Sequence, residues 1–127
     1  MRRRALAVVF ALALVTLVSG CDQSSDAGAT VELTEFSITG PQSLPGDIDR
    51  IDITNVGEFT HTLVVTDADG EVAAASGLIP PGESMYLDLD LKAGQYVFTC
   101  RMIAQDDEGN LIDHFEAGMH TGVVVEG

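Results

Sequence analysis

From residue 31 to the C-terminus, apolar and polar positions alternate in short runs broken by glycine and proline. The clearest run is "MYLDLDL": Met85, Leu87, Leu89 and Leu91 fall on one side, and Tyr86, Asp88 and Asp90 on the other. That is the two-residue period of a half-buried strand. Comparable runs predict strands over 31–39, 48–54, 60–66, 85–91, 96–100 and 121–126, while 72–75 reads equally as a strand or a helical turn. Turns fall at "GPQSLPG", "DADG", "PPGES" and "KAG", where Gly and Pro chemistry places them. No long amphipathic helix interrupts the series. The pattern predicts an all-β sandwich or barrel of about a hundred residues around one core. The lack of Trp and of a core cysteine pair argues against an immunoglobulin-type domain.

Residues 1–30 have a different character. Arg2 to Arg4 form a basic start, Ala5 to Val18 an apolar run, and Val18-Ser19-Gly20 place small residues ahead of Cys21. The apolar run is too short for a bilayer span, which takes roughly 20 residues, and it suits a signal peptide. The Val-Ser-Gly-Cys junction resembles a prokaryotic lipobox, with cleavage before Cys21 and lipidation of its thiol; ordinary secretory cleavage is the alternative. The expected organisation is a lipoprotein signal peptide over 1–20, an anchor and flexible tether over 21–30, and a sandwich domain over 31–127. Either form of cleavage places the protein outside the cytoplasm, and lipidation ties it to the cell membrane, periplasmic or on the outer face.

Processing sharpens the charge. The full chain carries −14, but its arginines 2–4 leave with the signal peptide, so three cations, Arg50, Lys92 and Arg101, face 20 carboxylates in the mature chain, a net of −17. Nucleic acid is excluded as a partner, because phosphate binding needs clustered Lys and Arg, and charge does not draw the chain to anionic lipid. A basic protein partner is compatible with such a field, as is plain solubility in a salty medium.

Cysteine usage points to chemistry. With Cys21 acylated, Cys100 is a single thiol in an oxidising compartment, a liability unless something occupies the sulfur. In "GQYVFTC", Cys100 shares the inward face with Tyr96 and Phe98, and in "FTHTLVV", His61 shares it with Leu63 and Val65. His114 and Met119 follow in one loop. Each residue alone reads as core, since a buried Cys behaves as a small hydrophobe. Together, two imidazoles, a thiolate and a thioether are the donor set of a blue-copper site, a His₂Cys plane with a weak axial Met.

The segments "NVGEFTHTLVV", "PPGESMYLDLDLKAGQYVFTC" and "HFEAGMHTGVVVEG" resemble the cupredoxin (blue, type 1 copper) family of plastocyanin, azurin and sulfocyanin type. The resemblance implies a Greek-key β-sandwich, one Cu(I)/Cu(II) ion held by His61, Cys100 and His114 with Met119 axial, and one-electron transfer. His120 competes with His114 for the second imidazole position. Two features depart from the family: Thr62 follows His61 where Asn is common, and thirteen residues separate Cys100 from His114 where small members have a handful. That extended loop, 101–113, has two apolar arms around "DDEGN" and is expected to fold as a hairpin or flap. In the family the exposed edge of the second His is the electron port. Met102, Ile103, Leu111, Ile112 and Phe115 are expected to frame or cover it here, with Asp106, Asp107 and Glu108 facing a basic partner.

The resulting expectation is a monomeric, membrane-anchored carrier of single electrons between partners such as a cytochrome or a terminal oxidase. It is not expected to be an enzyme, because copper enzymes of this kind need further histidines and the chain has three. The alternatives are a copper-delivery or copper-resistance lipoprotein, and a metal-free interaction module.

Overall fold

The computed structural model describes residues 28–127. The expected signal peptide, Cys21 and most of the tether lie outside the described residues. The strands in chain order are β1 (Ala29–Leu33), β2 (Ile38–Thr39), β3 (Ser43–Leu44), β4 (Arg50–Asn55), β5 (Val64–Asp67) and β6 (Val72–Ala75). They are followed by β7 (Ser84–Asp88), β8 (Gly94–Thr99), β9 (Ile103–Gln105), β10 (Leu111–Asp113) and β11 (His120–Val125), and the described residues contain no helix. One sheet runs β2-β1-β4-β7 and the other β3-β11-β8-β5-β6, while β9 and β10 form a separate hairpin. Neighbours are antiparallel except for β1 with β4 and β3 with β11.

Alternation along each strand decides what lies between the sheets. Val31 and Leu33 of β1, Ile51 and Ile53 of β4, and Leu87 of β7 meet Val65 of β5, Tyr96 and Phe98 of β8, and Val123 and Val125 of β11 in one buried cluster. Successive side chains on a strand point to opposite faces, so this one stripe of aliphatic and aromatic residues supplies the apolar burial that drives the sheets together. The predicted outward side is equally clear at β7, where Tyr86 is exposed beside the Arg50 guanidinium.

Several boundaries differ from the sequence reading for local reasons. The run predicted over 31–39 is two strands, because the Thr34 N–H donates to the Ser37 carbonyl (3.1 Å) and folds the chain back; β1 also begins two residues earlier, at Ala29. β3 is only two residues long and exists through its parallel pairing with β11. Of the run 60–66, the ladder takes Val64 onward, and His61 instead forms an isolated bridge with Ile79. Residues 72–75 are a strand, β6, paired with β5. The run 85–91 leaves the ladder after Asp88, yet Leu89 and Leu91 stay buried as predicted, with the Leu89 N–H held by the Asp49 carbonyl at 2.8 Å. The 101–113 segment does fold as a hairpin, its turn organised by Asp106, which accepts bonds from the Glu108 and Asn110 amides and the Asn110 side chain.

Candidate metal centre

The strands deliver three donors to one end of the sandwich. Cys100 follows β8 with its side chain inward, as its parity with Tyr96 and Phe98 requires, and it is fully buried. His61 is fixed by two backbone bonds with Ile79 (His61 N–H to Ile79 O, 3.1 Å; Ile79 N–H to His61 O, 2.8 Å). His114 follows β10, and Met119 directly precedes β11; both are fully buried.

Backbone bonds explain how a long insertion leaves the site intact. The His114 N–H donates to the Met102 carbonyl (3.0 Å), the Met119 N–H to the His114 carbonyl (2.9 Å), and the Cys100 N–H to the Met119 carbonyl (3.1 Å). The first of these closes the hairpin at its base, so the extra residues leave and return beside Cys100. Gly118 allows the remaining turn: its φ is +124°, and a Cβ there would lie 3.1 Å from the Phe36 carbonyl oxygen. A side chain would therefore meet both backbone strain and a tight contact.

The donor atoms converge. His61 Nδ1 and His114 Nδ1 are 3.1 Å apart, and Cys100 Sγ lies 3.7 Å from the first and 3.6 Å from the second. A point equidistant from all three sits about 2.0 Å from each, close to the roughly 2.0–2.1 Å and 2.3 Å of metal–imidazole and metal–thiolate bonds. These three residues form a buried group able to hold one metal ion. His120 stands apart from it: its side chain is exposed at the start of β11, and its ring packs on Phe115 at 4.9 Å.

The surroundings keep the imidazoles neutral. Burial pushes the His61 pKa below 6.5, helped by the neighbouring His114 and opposed by Glu35; burial likewise lowers His114, against a smaller upward pull from Asp113. A neutral imidazole is the ligating form. Neither Nε2 has a hydrogen-bond partner in the protein, so packing orients the rings. Phe36 and Phe59 meet the His114 ring edge-on at 5.7 Å and 5.8 Å, and a Cβ on Gly57 would lie 3.2 Å from His61 Nε2. Thr62, next to His61, brings its hydroxyl to 4.0 Å from Cys100 Sγ, a third polar group at the sulfur beside the two imidazole nitrogens.

Asn55, Phe36 and Phe59 are site residues that the sequence reading missed. Asn55 is buried with both ends of its amide bonded: Nδ2 donates to the Phe59 and Ile79 carbonyls (2.7 and 2.8 Å), and Oδ1 accepts from the Gly57 N–H (2.9 Å). It fixes the loop leading to His61 from both sides. Its signal was present, since a polar residue continues the inward face of Ile51 and Ile53. Phe36 falls in the run predicted as one strand, where the turn at 34–37 breaks the period, and Phe59 lies in a loop, where periodicity says nothing. Of the residues expected to frame or cover the second His, Ile103 and Leu111 are 60% and 75% exposed, whereas Met102, Ile112 and Phe115 are half-buried.

The histidines set a pH dependence for the metal-free protein. Their folded pKa values lie below the unfolded value of about 6.5, so the unfolded chain binds more protons as the medium becomes acidic. The metal-free domain should keep its full stability above pH 7 and lose it as pH falls through 6.5 toward the lowered folded values. Urea midpoints at pH 7.5 and 5.5 check this against a His61→Gln, His114→Gln variant, whose midpoint should fall less over the same interval.

No protein-family model and no curated protein sequence matches the chain. Solved structures do. A reduced auracyanin from Roseiflexus castenholzii superposes with a TM-score of 0.60 at 18% identity, covering 80% of this chain and 99% of that one. An azurin from Methylomonas sp. strain J gives 0.60 at 14% identity, over 81% and 100% of the two chains. A variant of amicyanin in its reduced Cu(I) form gives 0.51 at 19% identity, over 82% and 87%. The chain therefore has the cupredoxin fold, with a two-histidine, one-cysteine donor group at one end of it.

Proposed function

We propose that this protein is a type 1 copper protein, anchored outside the cytoplasm through a lipidated Cys21, that carries single electrons between redox proteins. The observation that carries the reading is the donor triangle: two neutral imidazole nitrogens and one sulfur, all buried and spaced for one small ion. Imidazole suits copper in both oxidation states and soft sulfur favours Cu(I), so the set discriminates against oxygen-seeking cations. Met119, tied by its backbone to both Cys100 and His114, is the proposed axial ligand. Bound copper would supply a one-electron Cu(I)/Cu(II) couple. The chain's part is to hold the donors where neither oxidation state demands rearrangement, and the backbone ties among residues 100, 114 and 119 do that. Complete burial of the three donors also favours a carrier over a delivery protein, which needs an exchangeable site.

The partner is proposed to be basic. Of the three cations among the described residues, Arg50 opens β4 and Lys92 precedes β8, both at the end of their strands away from the donors. Arg101 is at the donor end, with its guanidinium over the Phe115 ring at 4.0 Å. Carboxylates are spread over both ends of the sandwich, so the acidic field is compatible with a positive partner without singling out one end. The carrier is proposed to act as a monomer.

Adding Cu(II) to the soluble domain should produce an intense visible thiolate-to-copper band at one copper per chain, abolished by Cys100→Ser. Tight Cu(I) binding without the band would instead favour delivery, and absence of binding would leave only an interaction module. For the anchor, Cys21→Ser should move the protein from the membrane to the soluble extracytoplasmic fraction; unchanged membrane association would rule out lipidation as its cause.

A further inference from the structure

Each donor carried by the long loop is followed at once by a residue that faces the other way. Cys100, His114 and Met119 are fully buried, while Arg101 and His120 are exposed and Phe115 is half-buried. Neighbours along an extended chain point to opposite sides, which sends Arg101 and His120 outward, and Phe115 joins them there from the turn that follows β10. The Arg101 guanidinium carbon stands 4.0 Å from the centre of the Phe115 ring. The His120 ring packs on the same phenylalanine, 4.9 Å between centroids and tilted by 40°.

These contacts duplicate the backbone ladder one residue further on. The ladder ties Met102 to His114, His114 to Met119 and Met119 to Cys100. The side chains tie Arg101 to Phe115 and Phe115 to His120. Phe115 is itself held in place: its N–H donates to Asp113 Oδ1 at 2.9 Å, and its carbonyl accepts from the Gly118 N–H at 3.0 Å. Arg101 forms no ion pair among the described residues, although the chain has 20 carboxylates. Its partner is the ring.

We infer that Arg101, Phe115 and His120 are positioning residues, a clasp outside the backbone that keeps the three loop donors together, with Phe115 as the shared partner. In its bearing on copper the inference rests on the copper-carrier reading; the ordering of the donors is a property of the chain alone. The 101–113 hairpin gives the clasp its purpose, because a swing of that hairpin would carry His114 away from Cys100. Arg101 opens the hairpin and Phe115 lies just past its return, so their contact crosses the neck from arm to arm. The Phe115–His120 contact does the same for the shorter turn that leads to Met119. A cation over a ring and two packed rings add directional attraction to burial. An aliphatic side chain of similar size supplies burial only.

The test compares Phe115→Leu, which keeps apolar bulk, with Phe115→Tyr, which keeps the ring face, and with Leu111→Ala on the hairpin as a control. In the metal-free full chain, amide exchange at Cys100, His114 and Met119 should quicken by about fivefold or more in Phe115→Leu relative to the β8–β11 ladder, as a local opening requires. Phe115→Tyr should restore the parent rates, and Leu111→Ala should leave them unchanged. Acceleration shared equally with the β8–β11 ladder, no acceleration, or failure of Phe115→Tyr to restore the rates would overturn the inference. Arg101→Gln and His120→Ala should each give part of the acceleration alone and none on top of Phe115→Leu, since they act through one ring; full additivity would overturn it. Both positions are exposed, so these two variants decide the matter if Phe115→Leu does not fold. With copper bound, Phe115→Leu should keep the Cys100-dependent visible band and lose copper to a chelator faster than the parent; unchanged release would overturn the role of the clasp at the metal. Faster exchange in the metal-free variant of a parent that shows no visible band would leave the clasp standing and sink the copper reading.

Discussion

The donor end of this protein depends on a short backbone ladder outside the regular sheets: His114 to Met102, Met119 to His114, and Cys100 to Met119. Each bond is ordinary, worth of the order of 1 kcal/mol net. Their arrangement matters more than their strength. They fix three side chains on a loop interrupted by thirteen residues, and they do it by closing the interruption at its neck. Adding residues to a surface excursion with fixed ends costs little entropy, because the closure penalty grows only logarithmically with length. The hairpin is thus thermodynamically tolerable and leaves the geometry of the donors to the ladder and the strands behind it.

Burial acts on top of that frame. Two imidazoles with nitrogens 3.1 Å apart are poorly placed to become charged, and loss of solvent lowers both pKa values further. The same aromatic cover that desolvates His114 also keeps water from the donors. Neutral donors, excluded solvent and soft sulfur are mutually consistent, and they all follow from placing His and Cys at inward positions at the end of a sandwich. Retaining two buried Nε2 atoms without partners has an energetic cost, which is easier to understand at a functional centre than in a structural core.

The parts of the structure legible in the sequence were those governed by local period. Alternation placed Cys100, His61 and the leucines of 85–91 on their correct faces because the side-chain direction of a strand depends only on parity. It also marked the "DDEGN" stretch as a turn between two arms. The turn at 34–37 was less visible, since its polar residues sit among apolar ones that continue a strand-like pattern. β3 was invisible because two residues carry no period and the strand is defined by its partner. The aromatic cover was out of reach for a related reason: Phe36 and Phe59 lie far from His114 along the chain, and only tertiary folding brings them over it. Family resemblance directed attention to the hairpin arms around the second histidine, and the rings that meet that imidazole edge-on, Phe36 and Phe59, come from other loops.

Fold, donor triangle and acidic composition support one proposed picture, a sandwich whose buried donors would hold a single metal beneath an aromatic cover. The claim on which the picture stands is that one copper is bound by both histidines and the thiolate together. X-ray absorption at the copper edge of the loaded, soluble protein tests it most directly. A first shell containing one short sulfur contact and two imidazole nitrogens, with the sulfur contribution lost in Cys100→Ser, is the predicted result. A shell of nitrogen and oxygen alone, unchanged by that substitution, would contradict it.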